Sequence, residues 1–196
     1  MLKLHTLTLG LYQTNTYIIH DEHSKTCCVI DPGYQANTIL DKIAELGLTV
    51  EAILLTHGHF DHVGAVKDIV AETDCRVYLC GEELSMPRFI TSGSLYHTHT
   101  YGEADALALA GLTIHIMHTP GHTPGSVCLL VEDTMFSGDT LFAGSCGRTD
   151  LPGGDWNTIQ TSLKRLASIE ADLQVFPGHG ESTTLAQEKQ YNPYMR

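Results

Sequence analysis

The hexapeptide His57-Gly58-His59-Phe60-Asp61-His62 gathers three imidazoles and a carboxylate into six residues. That is more ligand capacity than one small ion normally draws from a single short segment. Neutral imidazole nitrogens and ionised carboxylate oxygens are the donors that zinc and its divalent neighbours accept. Three later segments share its texture, a ligand-type residue beside glycine or proline at the end of an apolar run. They are His118-Thr119-Pro120-Gly121-His122-Thr123-Pro124-Gly125, Phe136-Ser137-Gly138-Asp139-Thr140 and Phe176-Pro177-Gly178-His179-Gly180. Asp31-Pro32-Gly33 has the same form, but its carboxylate reads as a turn former or as support for a ligand.

Counting donors organises the set. His57, His59 and His122 supply three nitrogens; Asp61, His62 and His179 supply a second group of three; Asp139 is left to bridge. Two divalent ions would then have four protein ligands each, with room for a shared water. Nitrogen-dominated ligation suits zinc, and the two carboxylates also admit iron or manganese. Metal binding lowers the pKa of water from 15.7 towards roughly 7, which makes a bridging hydroxide available as a nucleophile at neutral pH. His118 reads as structural or as support for a ligand, and His97 and His99 as solvent-facing. Cys146 reads as a buried, inert thiol.

These loops need strands and helices to aim them. Residues 2–9 alternate as a strand, and Thr16–Ile19 and Thr26–Ile30 are β-rich around the polar turn at 21–24. A helix is expected at about 35–46, with Ile39, Leu40, Ile43, Ala44 and Leu46 as its buried stripe and Gly47 closing it. Val50–Thr56 reads as a strand buried on both faces, delivering the histidine cluster at its end. A helix over 61–73, a strand over 76–80 and an irregular stretch over 81–101 follow. Hairpins are expected at 107–117 and 127–136, then a helix capped by Asp155 with the stripe Trp156, Ile159, Leu163, Leu166. A last strand, 173–176, precedes a helix capped by Ser182. Strands thus come in two sets, each followed by helices. One domain, residues 1–196, is expected, an α/β layered sandwich with helices outside two packed sheets.

Composition narrows the function. Eleven basic against 23 acidic residues leave a formal charge of −12, which argues against a nucleic-acid partner. No stretch approaches the roughly 20 apolar residues of a membrane span, and residues 1–5 lack the features of an export signal. The six cysteines show neither zinc-ribbon spacing nor a dense disulfide framework, so a cytoplasmic protein with reduced thiols is expected.

Thr56-His57-Gly58-His59-Phe60-Asp61-His62 resembles the T-H-x-H-x-D-H signature of the metallo-β-lactamase superfamily, and His122, Asp139 and His179 follow in that superfamily's order. The resemblance implies the four-layer αβ/βα sandwich with a dinuclear site at the sheet edge. Within it, Gly138-Asp139-Thr140-Leu141-Phe142 with Cys146-Gly147-Arg148, and Pro177-Gly178-His179-Gly180 with Thr183-Thr184, are similar to glyoxalase II and its short bacterial relatives. That family hydrolyses thioesters, typically S-lactoylglutathione. The resemblance implies a small-molecule thioester substrate, with Asp61 orienting the attacking hydroxide while holding its metal. Arg148 reads either as a contact for an anionic group of the substrate or as a member of a structural salt bridge.

Two departures bear on the substrate. The 17 residues after His179 are too few for the helical C-terminal domain that grips glutathione in full-length glyoxalase II, so none is expected. Where the family carries an aromatic residue, two positions beyond its basic one, Asp150 stands. Gly147-Arg148-Thr149-Asp150 also resembles the G-R-T-D run of persulfide dioxygenases. Those use one iron, here implied at His57, His122 and Asp139. The sequence leaves the acyl group, the thiol carrier and the oligomeric state open.

Overall fold

The structure is a computed structural model that describes residues 1–91 and 93–196. Two six-stranded sheets form its middle. The first runs β1 (Leu2–Leu9), β2 (Thr14–Asp21), β3 (Thr26–Ile30), β4 (Thr49–Leu55), β5 (Arg76–Cys80), β6 (His99–Tyr101), in that spatial order. Its first two pairings are antiparallel and its last three parallel. The second sheet is built from β7 (Ala106–Leu109), β8 (Leu112–His118), β9 (Val127–Val131), β10 (Thr134–Gly138), β13 (Gln174–Pro177) and β14 (Thr183–Thr184). A small hairpin, β11 (Leu141–Phe142) and β12 (Ser145–Cys146), stands beside it.

Alternation along β4 shows how the layers are glued. Ala52 and Leu54 face the second sheet, in a core with Tyr17, Ile30, Ile114, Leu129 and Phe136. Ile53 and Leu55 point the other way, onto α1 (Ala36–Glu45) and α3 (Val66–Thr73). A third core sits between the second sheet and α4 (Trp156–Ala167) with α5 (Leu185–Tyr191), through Met135, Ile159, Leu163, Leu166 and Leu185. Helix, sheet, sheet, helix is the four-layer sandwich that the superfamily resemblance implies. Period-two strands with both faces apolar leave no other way to bury both sides.

Four local expectations change. The helix expected over 61–73 is two helices, α2 (Phe60–Val63) and α3. The turn at 31–33 wedges between them: Ala65 N donates to Pro32 O at 2.9 Å, and a Cβ on Gly64 would lie 2.3 Å from Gly33 O. The final helix is capped by Thr184 rather than Ser182, because Thr183 and Thr184 first pair with β13. The stretch 81–101, of which Ser92 lies outside the described residues, contains a 3₁₀ turn at Gly81–Ser85 and the edge strand β6. Tyr101 of that strand is buried and donates its hydroxyl to Leu55 O. Trp156 stays 43% exposed, edge-on to Tyr194, while Ile159, Leu163 and Leu166 carry the burial of α4. Among the described residues no helix is long and apolar enough to cross a membrane, and all six cysteines are free.

Phe136 is fully buried between the sheets and packs against Tyr17 and Phe176, with ring centroids 5.1 and 5.9 Å away. Phe136→Ala is expected to lower the unfolding free energy by about 3–5 kcal/mol. Urea denaturation followed by circular dichroism measures it, and a loss below about 1 kcal/mol would mean the two sheets do not share this core.

Candidate metal centre

Each ligand-type residue picked out by the sequence sits where a strand ends. His57 and His59 leave the end of β4, and Asp61 and His62 occupy the single turn of α2. His122 lies in the loop from β8 to β9, Asp139 directly follows β10, and His179 follows β13. The first sheet thus brings four of the seven residues and the second brings three, all to one rim. Loops at the carboxyl ends of strands are where α/β sheets collect ligands.

The side chains meet in two groups. Donor atoms of His57, His59 and His122 lie within 4.8 Å of one another, as do those of Asp61, His62 and His179. Asp139 stands between them, with Oδ1 3.5 Å from His62 Nε2 and Oδ2 3.5 Å from His122 Nε2 and 3.6 Å from His179 Nε2.

Outer hydrogen bonds decide which ring nitrogen faces inward. His122 Nδ1 lies 2.7 Å from Arg148 O, and His179 Nδ1 lies 3.0 Å from Tyr12 O. A carbonyl only accepts, so both rings carry a proton on Nδ1 and turn Nε2 to the interior. His62 Nδ1 faces Asp31 Oδ2 at 3.0 Å, with the same consequence. Ligand-type nitrogens and oxygens therefore crowd the interior. His122 Nε2 lies 2.9 Å from His59 Nδ1, and His179 Nε2 lies 3.2 Å from Asp61 Oδ2. His57 Nε2, His59 Nε2 and Asp139 Oδ1 are buried with no hydrogen-bond partner. Buried acceptors without donors are costly, and a cation shared among them removes the cost. The donor set therefore fits divalent metal.

Ionisation agrees. Burial pushes the His57 imidazole well below its usual value and brings His59 down to about 4, so both are neutral, the form that binds metal. Burial alone would raise the Asp61 carboxyl, but the His179 hydrogen bond and the charges of His62 and His179 bring it down to about 2. Burial opposes a charged His62, yet Asp139, Asp31 and Asp61 raise it to about 9. Those carboxylates draw positive charge into the centre.

The sequence profile described as the metallo-beta-lactamase superfamily matches residues 9–179. The chain belongs to that superfamily. Three similarities give detail. Hydroxyacylglutathione hydrolase GloC of Haemophilus influenzae is 32% identical, over 99% of this chain and 98% of that protein. The crystal structure of TTHA1623 in a di-iron-bound form is 37% identical, covers 97% of this chain and 99% of its own, and has a TM-score of 0.86. ETHE1 from Myxococcus xanthus is 30% identical, covers 97% and 83%, and has a TM-score of 0.85.

In this superfamily chain the centre opens into a cavity of about 500 Å³. Tyr12, Phe60, Phe89 and Ile90 line it, as do Phe142 and Leu151. None of these six stands out in the sequence as a wall residue, because isolated apolar residues in loops carry no periodic signal. Arg148 reaches the cavity as expected, but its guanidinium is clamped on Asp150 by two bonds of 2.7 Å, and its carbonyl is what orients His122. Cys146 is half-buried and on the cavity wall rather than fully buried, although burial still raises its thiol. His118 joins neither group: its Nε2 bonds Pro124 O at 2.8 Å, and it neighbours Cys80 and Glu82 instead.

Two carboxylates brace the centre. Asp31, in a left-handed turn at φ 50°, accepts from Thr56 N at 2.7 Å and Thr56 Oγ1 at 2.6 Å besides facing His62. Glu83, fully buried, accepts from Gly58 N at 2.6 Å and from Gly125 N at 2.7 Å. It thereby ties the His57–His59 loop to the loop of His122. Glu83 gives no signal in the sequence, since one acid after a short strand looks like any surface residue.

Glu83→Ala leaves two buried amides without an acceptor, at about 1–3 kcal/mol each. Chemical denaturation should show a destabilisation of roughly that sum, and a change below about 0.5 kcal/mol would remove Glu83 from this role. His118→Ala should leave the metal-to-chain ratio unaltered by elemental analysis; loss of an ion would overturn the division of the ligands into two triads.

Proposed function

We propose that the chain is a metal-dependent hydrolase of small-molecule thioesters, similar to glyoxalase II, using two divalent ions with zinc as the leading candidate. His57, His59 and His122 would hold one ion, Asp61, His62 and His179 the other, with Asp139 shared. The observation that carries this reading is the pair of inward-facing donor groups with Asp139 between them, at the floor of an apolar cavity. The name of the Haemophilus relative, a hydroxyacylglutathione hydrolase, supports it.

Bound ions would supply polarisation of a carbonyl and a water acidic enough to ionise near neutral pH. The chain's own residues do the rest. Arg148 O, Tyr12 O and Asp31 keep protons on the outer nitrogens of His122, His179 and His62. Asp61, drawn toward His179 and steadied by Thr14 Oγ1 at 3.4 Å, is placed to orient the attacking water. Phe60, Phe89 and Phe142 would give the substrate an apolar wall. Water oxygen joins the acyl carbon, the carbon–sulfur bond breaks, and the departing thiolate takes a proton from that water. A thiol of pKa about 8.5 leaves without a separate general acid, unlike an amine.

A second reading is oxygen-dependent persulfide oxidation at one iron held by His57, His122 and Asp139. The Gly147-Arg148-Thr149-Asp150 run and the similarity to ETHE1 favour it. It leaves the triad of Asp61, His62 and His179 without a task.

Metal analysis with a free-thiol release assay over a panel of S-acyl thiols separates the two. Two ions per chain and thiol release are expected; one iron with oxygen uptake on a persulfide, and no release, would replace the hydrolase reading. Asp61→Ala should lose one ion preferentially and lower kcat/KM by roughly 100-fold or more. Undiminished turnover would show that the second triad is not part of catalysis.

A further inference from the structure

We propose, resting on the thioesterase reading, that the cavity selects thioesters whose thiol arm is uncharged near the sulfur, of the amide-linked cysteamine kind, over glutathione thioesters. Glutathione at neutral pH brings two carboxylates and one ammonium close to its sulfur. A cavity built for it needs free positive charge near the mouth. Among the described residues that line this cavity, the one lysine or arginine is Arg148. Both edges of its guanidinium fork are already taken, Nε by Asp150 Oδ1 and Nη2 by Asp150 Oδ2, each at 2.7 Å.

That ion pair is exposed and adds little to stability. Its effect on recognition is larger. Asp150 is two residues away in the chain, so it competes for the fork at a high effective concentration that a dilute substrate carboxylate does not match. Bidentate geometry is what makes arginine a good carboxylate receptor, and here that geometry is used internally. The chain's formal charge of −12 adds long-range repulsion against an anionic carrier.

The walls make the complementary case. Phe89 is 78% exposed and Tyr12 58% exposed at the mouth, and Leu11 beside it is 97% exposed. Large apolar side chains gathered around a cleft mark a binding surface for apolar matter. Phe60, Ile90, Phe142 and Leu151 continue that surface inward to the centre. The hydroxyls of Tyr12 and Ser145 on the walls can donate to or accept from an amide group. An uncharged arm on one wall and an apolar acyl group on the other would enter without stranding a buried charge.

The test compares one acyl group on two carriers, glutathione and N-acetylcysteamine. Thiol release by the metal-loaded full chain gives kcat/KM for each. Titration calorimetry with the corresponding S-alkyl thioethers, which cannot be hydrolysed, gives binding separately on loaded and metal-free chain. We expect the cysteamine compounds to be favoured by about 10-fold or more in both measurements. Asp150→Ala, which frees the fork, should shift the ratio by about 2- to 5-fold towards glutathione. Equal or tighter binding of the glutathione thioether overturns the proposal, even if both esters are cleaved and the thioesterase reading stands. An unmoved ratio in Asp150→Ala overturns the part assigned to the ion pair. Failure to cleave either ester overturns the thioesterase reading, and the thioether preference still decides the cavity's selectivity.

Discussion

A concentration of lone pairs governs this molecule. Imidazole nitrogens and two carboxylates face one another at 2.9–3.6 Å. Left to relax, such groups would turn away to solvent or to donors. Four of the five imidazoles are fastened from behind, His122 and His179 by the carbonyls of Arg148 and Tyr12, His62 by Asp31, and His57 by Thr56 Oγ1 at 3.1 Å. The centre is stable as a geometry only through that outer layer, which is how metal ligands generally acquire their orientation.

The outer layer in turn needs backbones to approach closely. Gly33 lies so near Asp61 that a Cβ would fall 1.7 Å from its carbonyl oxygen. At Gly178 a Cβ would reach within 2.3 Å of Asp139 Oδ1 and 2.7 Å of His62 Cε1. The glycines flanking the acidic and histidine ligands are therefore spatial requirements of the site, beyond the turns they make. The sandwich supplies the scale. Its inter-sheet core, centred on residues such as Leu54 and Phe136, sets how near the two rims come, and hence whether His122 and Asp139 arrive beside His57 and His62.

How much of this is legible in the chain depends on whether a feature has a period or a spacing. The seven ligand-type residues stand out because four of them cluster within six residues after an apolar run and the other three each sit beside glycine. The sheets and outer helices stand out because their burial alternates with period two or recurs near 3.6. What escapes has neither property. The break at Gly64-Ala65 comes from the distant turn at 31–33 pushing into the helix, a tertiary event laid over a continuous helical pattern. Glu83 matters only because folding brings it to Gly58 and Gly125. The aromatic walls come from separate loops, and the placement of Arg148 is legible while its capture by Asp150 is not.

One contact of the first sheet reaches across to the second. Tyr17 donates its hydroxyl to Pro177 O at 2.5 Å, and Asn15 Nδ2 donates to Pro177 O at 3.1 Å and Gly180 O at 2.9 Å. The loop of His179 is thus clasped on both flanks by β2. A clasp of this kind makes the centre a mould cast ahead of its contents. Where ions bind such a clasped rim, its radius and coordination shape weigh alongside their intrinsic affinities in choosing among metals.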